Sequence, residues 1–429
     1  MISDVTIARP GPTRVAVIGL GYTGLPLALG LANAGHHVTG YDIDESKLAA
    51  LRSGRSYLTD VRDEDLAVTS GTLRVTGDSS ALEHAEAVVV CVPTPTATDG
   101  KPDLRAFDSV FEVLAAHLQP GALLVVQSTV PPGTTARAAA LLGERLGLTP
   151  GEGFLVANAP ERINPANAEG WNLENTPKIV GGINAESGER ARQLLGSVCR
   201  VVVPVDSLEV AETAKVFENT FRLVNIALTY ELEALCNSIG VSVHDVIDAA
   251  ATKPYGFLAH RPGPGIGGEC IPVDPRFLRS VAAESNVSMP LVEEAIRRAD
   301  RRPLEVVDRL AELLSDADQE LATARVLVVG AAYKPGVSDV RNSPSVEVIA
   351  ELQRRGAKVS YVDPHVEVLS VDGAQVARAE WNRSAVLEHD CVVLMTPERQ
   401  VVDRPLWYAA PLVLDAWNLA AAGDGIHHL

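Results

Sequence analysis

Cys270 has the surroundings least like a packed core. It follows Pro262-Gly263-Pro264-Gly265-Ile266-Gly267-Gly268-Glu269 and precedes Ile271-Pro272-Val273-Asp274-Pro275. Glycines at this density let backbone crowd a ligand and leave the sulfur exposed, and an adjoining helix N-terminus would favour the thiolate. Cys91, Cys199 and Cys391 sit in aliphatic runs and Cys236 sits on a long helical stretch; these four read as small core residues. Five cysteines without a CxxC pair imply neither a disulfide framework nor a structural zinc, and no metal site is expected.

A second chemistry lies in Gly19-Leu20-Gly21-Tyr22-Thr23-Gly24, a GxGxxG run between an aliphatic strand and a helix, with Asp42 at the end of the next strand, 18 residues after Gly24. Gly19 would permit a tight turn, Gly21 would admit a pyrophosphate against the backbone, and Gly24 would allow close helix–strand packing. Unpaired N–H groups at the helix start favour the anion. Asp42 can accept from ribose hydroxyls and would repel a 2′-phosphate, as would Asp44 and Glu45, so the expected cofactor is NAD. A third feature is Lys215, Asn219 and Arg222 at i, i+4 and i+7, a polar stripe opposite Phe217 and Phe221 that would equally suit a solvated helix face. A dinucleotide loop, a cradled thiol and a lysine–asparagine pair together point to carbonyl chemistry with a covalent intermediate.

The elements that must hold these groups follow from hydrophobic patterning. Val15–Ile18, His37–Tyr41, Ala87–Val92, Leu123–Gln127 and Phe154–Asn158 are short uninterrupted aliphatic runs, the pattern of parallel strands buried on both faces, with helical spacing in Pro26–Ala34 and Leu104–Leu118. From Asp206 to Gly240 an apolar stripe at Val210, Ala214, Phe217, Phe221, Val224 and Leu228 predicts one long amphipathic helix, with more helical sequence to about Leu314. From Arg325 the first texture returns: RVLVVG echoes RVAVIG at Arg14–Gly19, and Ala357–Asp363 and Cys391–Pro397 echo later strands. The loop equivalent to GxGxxG is Gly330-Ala331-Ala332-Tyr333-Lys334-Pro335-Gly336, which suits a different phosphate ligand. The expected fold is α/β: two Rossmann-like doubly wound domains, 1–205 and 315–429, joined by a central helical domain, 206–314, that carries the cysteine loop and supplies a homodimer interface.

The charge, 37 basic against 55 acidic residues or −18, excludes nucleic acid and anionic membrane surfaces as partners but not a small anion in a local cationic cleft. No run of 18 or more uncharged apolar residues exists and Met1–Thr13 lacks a signal-peptide core, so a cytoplasmic location is expected.

Several motifs occur in one order: Val17–Pro26 (VIGLGYTGLP), Val92–Thr96 (VPTPT), Gln127–Gly133 (QSTVPPG), Asn158–Pro165 (NAPERINP), Ala214–Ala227 (AKVFENTFRLVNIA), Pro262–Pro275 and Ala332–Ser345 (AYKPGVSDVRNSPS). In these the chain resembles the nucleotide-sugar 6-dehydrogenases of the UDP-glucose / UDP-N-acetylmannosamine dehydrogenase family over nearly its whole length. The resemblance implies two successive oxidations of a sugar C6 alcohol through a Cys270 thiohemiacetal and thioester, with NAD as acceptor and a UDP-sugar as substrate. It implies that Lys215 and Asp274 flank the C6 oxygen, that Asn219 holds the same oxygen, that Glu161 does acid–base work on the thioester, and that Thr129 contacts cofactor and water. It places Pro93, Thr94 and Arg341 with the cofactor, and Arg162, Asn164, Arg222, Gly267 and Lys334 with the substrate. Glu269 departs from the family pattern: a carboxylate beside the thiol opposes its activation unless it turns away or pairs with a cation. Glu161-Arg162-Ile163-Asn164-Pro165 and Cys270–Pro275 resemble the N-acetylhexosamine branch more than the UDP-glucose branch, which implies UDP-N-acetylmannosamine or UDP-N-acetylglucosamine as substrate. Alternatives are a UDP-glucose 6-dehydrogenase, a two-electron hydroxyacid-type dehydrogenase, which would need neither Cys270 nor the second α/β lobe, and a non-catalytic NAD sensor.

Overall fold

The computed structural model describes residue 11 and residues 13–58, 61–69, 71–163, 170–420, 423 and 425–429. The chain forms two compact units, Met1–Glu218 with Arg276–Val287, and Asn219–Pro275 with Ser288–Leu429.

In the first unit an eight-stranded sheet has the order β3-β2-β1-β4-β5-β6-β7-β8. The strands are β1 (Arg14–Ile18), β2 (His37–Tyr41), β3 (Leu73–Thr76), β4 (Ala87–Val90), β5 (Leu123–Val126), β6 (Leu155–Asn158), β7 (Lys178–Gly182) and β8 (Val202–Val205). All neighbours are parallel except β6 and β7. The first six follow the dinucleotide-fold order, with the topological switch beside β1. Val15 and Val17 face one core, while Ala16 and Ile18 face another on the opposite side. That is why these strands read as continuous aliphatic runs. Helix α1 (Gly24–Asn33) follows β1, and α2 (Thr134–Leu146) follows β5.

The long helix α3 (Leu208–Ile239) runs 32 residues and passes from the first unit into the second. Its buried positions include Ala211, Lys215, Asn219, Leu223, Ala227 and Tyr230, steps of three and four. The apolar stripe read from the sequence occupies the other face: Phe217 is 60% exposed, Leu228 61% and Phe221 43%. Lys215 and Asn219 are therefore the inward groups and the two phenylalanines the outward ones. Helices α4 (Asp274–Glu284) and α5 (Pro290–Asp316) follow.

The second sheet has the order β13-β10-β9-β14-β15-β16, all parallel. Its strands are β9 (Arg325–Val329), β10 (Lys358–Val362), β13 (Ala377–Arg378), β14 (Cys391–Leu394), β15 (Val413–Asp415) and β16 (Ile426–His428); β11 (Ser370–Val371) and β12 (Ala374–Gln375) make a separate hairpin. Helix α6 (Pro344–Arg354) follows β9. The internal echo is structural. β9 lies between β10 and β14 as β1 lies between β2 and β4. Asp363 accepts from the Ala331 and Ala332 N–H groups at 2.8 and 3.1 Å, as Asp42 accepts from Leu20 at 2.7 Å. Among the described residues no helix is long and apolar enough to cross a membrane.

Candidate active site

The three glycines after β1 do separate jobs. Gly19 has φ +90°, and a Cβ there would lie 2.8 Å from the Cys91 carbonyl oxygen. A Cβ on Gly24 would lie 1.8 Å from the Gly19 oxygen, so side-chain-bearing residues are excluded. Nothing stands within 4 Å of a Cβ at Gly21, which leaves open backbone for a pyrophosphate at the entrance to α1. Asp42 is 6% exposed; its Oδ2 accepts from Leu20 and its Oδ1 from the Asp44 N–H at 2.9 Å. Each oxygen keeps a second lone pair for a ribose hydroxyl. Gly21→Val is therefore expected to fold normally but weaken dinucleotide binding at least tenfold, about 1.4 kcal/mol. Gly24→Ala is expected to destabilise the unit by at least the roughly 1–3 kcal/mol of an overpacked core. Cofactor titration and thermal melting of the two variants separate these outcomes.

Thr129 follows β5, is half-buried, and accepts through its carbonyl a hydrogen bond from the Thr94 hydroxyl. Pro93, beside it, is exposed. The segment is pinned from below by Glu212 on α3, a 2% exposed carboxylate that accepts from the Gly133 and Thr135 N–H groups at 2.6 and 2.8 Å, capping α2. Burial pushes the Glu212 carboxyl up even so. The sequence reading missed Glu212; its signal was a carboxylate one turn before Lys215 on the same face.

Glu161 follows β6 and is saturated by donors. Its Oε2 receives Lys178 Nζ at 2.9 Å and the Gln127 amide; its Oε1 receives the Arg162 and Ile163 N–H groups at 2.7 and 3.0 Å. Burial alone would push this carboxyl up, but the Lys178 ammonium and the two backbone donors more than reverse that and hold it below the ordinary glutamate value. Lys178, on β7 and 2% exposed, was also missed by the sequence reading. Arg162 is engaged by Glu218 on α3 at 2.7 Å and by the Pro177 carbonyl at 2.8 Å. Asn164 lies outside the described residues.

In the second unit Cys270 is exposed, whereas the other four cysteines are buried. Burial pushes the Cys199 thiol up to about 11 and Cys391 to about 12, so neither is a nucleophile at neutral pH. The Cys270 carbonyl accepts from the Val273 and Asp274 N–H groups at 3.2 and 2.9 Å, which puts the residue on the turn that opens α4. At the start of α4, Asp274 (2% exposed) accepts at 2.5 Å from the side-chain amide of Asn219 (6% exposed). Lys215 lies one turn before Asn219 on the same buried face of α3, while Arg222 is exposed.

Glu269 pairs with Arg341 at 2.6 Å, and the same guanidinium meets Asp339 at 2.7 Å. The carboxylate beside the nucleophile thus meets a cation that it shares with Asp339. Burial raises the Glu269 carboxyl, partly offset by Arg341. Arg341 is engaged within its own unit. Gly267 packs against its own chain: a Cβ there would meet Tyr333 Cβ at 2.7 Å and the Asn342 oxygen at 2.9 Å. The Lys334 ammonium is 5.6 Å from the Tyr333 ring centre. Among the described residues no group of three or more His, Cys, Asp or Glu could hold a metal.

Three matches tile the chain: the UDP-glucose/GDP-mannose dehydrogenase family's NAD binding domain over residues 13–198, its central domain over 209–301 and its UDP binding domain over 327–422. A UDP-N-acetyl-D-mannosamine dehydrogenase of Pyrococcus horikoshii is 36% identical over 82% of this chain and 84% of its own. An NDP-N-acetyl-D-galactosaminuronic acid dehydrogenase of Ralstonia solanacearum is 32% identical over 90% of this chain and 91% of its own. A solved structure of UDP-D-ManNAc dehydrogenase from Pyrococcus horikoshii superposes with a TM-score of 0.89 at 31% identity, covering 97% of this chain and 98% of that one. The chain belongs to the UDP-glucose/GDP-mannose dehydrogenase family, as an NAD-dependent nucleotide-sugar dehydrogenase.

Proposed function

We propose that the substrate is a UDP-N-acetylhexosamine and that its C6 alcohol leaves as a carboxylic acid. The observation that carries the chemistry is Cys270: the exposed one of five cysteines, on the turn that opens α4, four residues before the Asp274 that accepts from Asn219. The sugar assignment rests on the Glu161–Pro165 sequence and on relatives named for N-acetylated sugars.

NAD, held by Gly19, Gly21, Gly24 and Asp42, supplies an acceptor for two hydrides, one per oxidation. The chain's own groups do the rest. Lys215 and Asn219 stabilise the C6 oxygen as it becomes alkoxide-like. After the first oxidation Cys270 Sγ bonds to C6 of the aldehyde, and the oxygen takes a proton to give a thiohemiacetal. The second oxidation removes the C6 hydrogen as hydride and the hydroxyl proton, leaving a thioester. Water then adds to C6, the C–S bond breaks, and the acid and the thiol are released. Glu161, held ionised, accepts the water's proton, and Asp274 orients the water. Across the cycle one water is consumed and two NAD are reduced.

Assayed against UDP-GlcNAc, UDP-ManNAc, UDP-GalNAc and UDP-Glc, the enzyme is expected to yield two NADH per sugar with at least one N-acetylated substrate. Turnover of UDP-Glc alone overturns the sugar assignment; one NADH per sugar overturns the four-electron course.

The outward face of α3 carries Phe217, Phe221, Leu228, Leu235 and Ile239, all exposed in the single chain. Contiguous apolar surface of this kind is a contact surface, and the reading extends to a homodimer through this face. Sedimentation at micromolar concentration is expected at twice the 45.4 kDa chain mass. Phe221→Glu with Leu228→Glu should give the monomer; a wild-type monomer rejects the interface.

A further inference from the structure

The run that leads into Cys270 is held differently from the turn that follows it. Among the described residues no backbone–backbone hydrogen bond involves residues 261–269. Pro262 and Pro264 have no N–H to give. Buried peptide groups need partners, and Pro262, Gly263 and Pro264 are buried. The shape of this run must therefore be imposed by side chains from elsewhere.

Arg302 on α5 supplies the first hold. It is 4% exposed, and its Nε donates to the Gly263 carbonyl at 2.9 Å. The rest of the guanidinium is fully committed. Nη2 donates to Glu233 on α3, Nη1 reaches Glu305 at 3.4 Å, and the plane lies 4.5 Å from the centre of the buried Tyr230 ring. Pro303, the next residue, would be 3.3 Å from a Cβ on Gly265. At the far end the Asn342 amide donates to the Gly268 carbonyl at 3.1 Å. Two side chains thus hold backbone carbonyls of the run, one at Gly263 and one at Gly268, beside the Arg261–Asp248 and Glu269–Arg341 ion pairs, and the nucleophile follows two residues after Gly268.

We propose that Arg302 is a positioning residue for the nucleophile loop: its fork, fixed by Glu233 and Tyr230, sets the Gly263 carbonyl and so the path of the chain into Cys270. Stability does not account for such a group. A buried ion pair is commonly replaceable by apolar residues of similar volume without loss, because desolvation offsets the attraction. What the guanidinium adds over a methionine is direction: rigid donors aimed at three partners. Displacing a reacting group by about 1 Å can cost on the order of 10²-fold in rate.

The proposal rests on Cys270 being the nucleophile, and its test keeps the two apart. The apolar swap Arg302→Met with Glu233→Leu, and the single variant Arg302→Lys, are compared with wild type as full-length protein. Melting temperature, NAD affinity, kcat and KM for the nucleotide sugar, and amide hydrogen exchange at Val273 and Asp274 are measured. The swap is expected to keep its melting temperature and NAD affinity and to hold KM within about threefold, while kcat falls roughly 10- to 100-fold. Exchange at Val273 and Asp274, whose N–H groups donate to the Cys270 carbonyl, should quicken at least tenfold while β1, β4, β9 and β14 keep theirs. Arg302→Lys, which keeps the charge but not the fork, should fall between wild type and the swap in kcat. Wild-type kcat in the swap overturns the proposal, as does a fall in kcat matched by equal losses of melting temperature and NAD affinity. If the swap does not fold, wild-type kcat in Arg302→Lys overturns it. An inactive wild type on every nucleotide sugar would sink the proposed function instead, and the exchange comparison would still report on Arg302.

Discussion

Cys270→Ser is expected to fold, bind NAD and release no acid, with acid formation down by about 10³-fold or more. A serine hydroxyl is far less acidic than a thiol and does not capture the aldehyde as a thiohemiacetal, so the second hydride has no bound donor. In the proposed reaction the first oxidation uses Lys215, Asn219 and the dinucleotide loop, none of which the substitution replaces. Supplied with the C6 aldehyde, the variant should therefore reduce it with NADH while failing to oxidise it. The fold should tolerate the change, because Cys270 is exposed and fills no core. Product analysis by mass, alongside NADH yield, checks the result. Wild-type acid output with two NADH per sugar from Cys270→Ser would remove the covalent mechanism even though cofactor binding stood.

Glu269, the apparent obstacle to that mechanism, meets a cation in three dimensions. Its partner Arg341 is 72 residues away in sequence, and the pair closes at 2.6 Å. A sequence shows a carboxylate next to a thiol but not the cation that neutralises it, since pairing at that separation is set by how the β9–α6 loop packs on the cysteine loop. The same holds for Lys178 and Glu212, whose functions lie in buried carboxylate contacts that no local pattern encodes. The fold was legible where burial on both faces writes continuous aliphatic runs, as in β1, β2, β4, β5 and β6. It was illegible at β3, which carries Arg74 and Thr76, and at β8, an edge strand that tolerates Pro204. It was illegible too at β7, where a buried lysine opens the strand and two glycines close it. Those glycines are steric necessities: a Cβ on Gly181 would lie 2.0 Å from the Ser207 oxygen, and one on Gly182 2.2 Å from the Gly188 nitrogen. In the glycine loop the need for a missing Cβ was legible at Gly19 and Gly24, where any side chain would strike backbone.

Lys178→Met is expected to stall the reaction at the thioester. Glu161 can take a proton from water only as a carboxylate, and its environment sets two effects against each other. Burial raises its pKa; Lys178, at 2.9 Å, with the Ile163 and Arg162 N–H groups, lowers it further than burial raises it. A carboxyl held below its ordinary value contributes stability above that value and loses it as pH falls through the depressed one. The wild-type base is thus ionised across the neutral range. Without the ammonium, burial dominates, the carboxyl takes up a proton nearer neutrality, and the acidic limb of the pH–rate profile moves up. At pH 7 kcat should fall roughly 10²-fold, the scale of a lost general base, and recover as pH rises. Glu161→Gln should show the same fall without recovery at any pH. In both variants intact-protein mass should reveal a nucleotide-sugar acyl adduct on Cys270 after a burst of two NADH per site. Because removing one partner leaves a buried charge at a cost of about 3–5 kcal/mol, Lys178→Met with Glu161→Gln serves as the electrically balanced control. It should melt above the single lysine variant and still carry the adduct. A Lys178→Met enzyme with an unshifted acidic limb and no adduct would show that Glu161 is not the base, and that its four donors hold the chain after β6 in place without taking part in the hydrolysis.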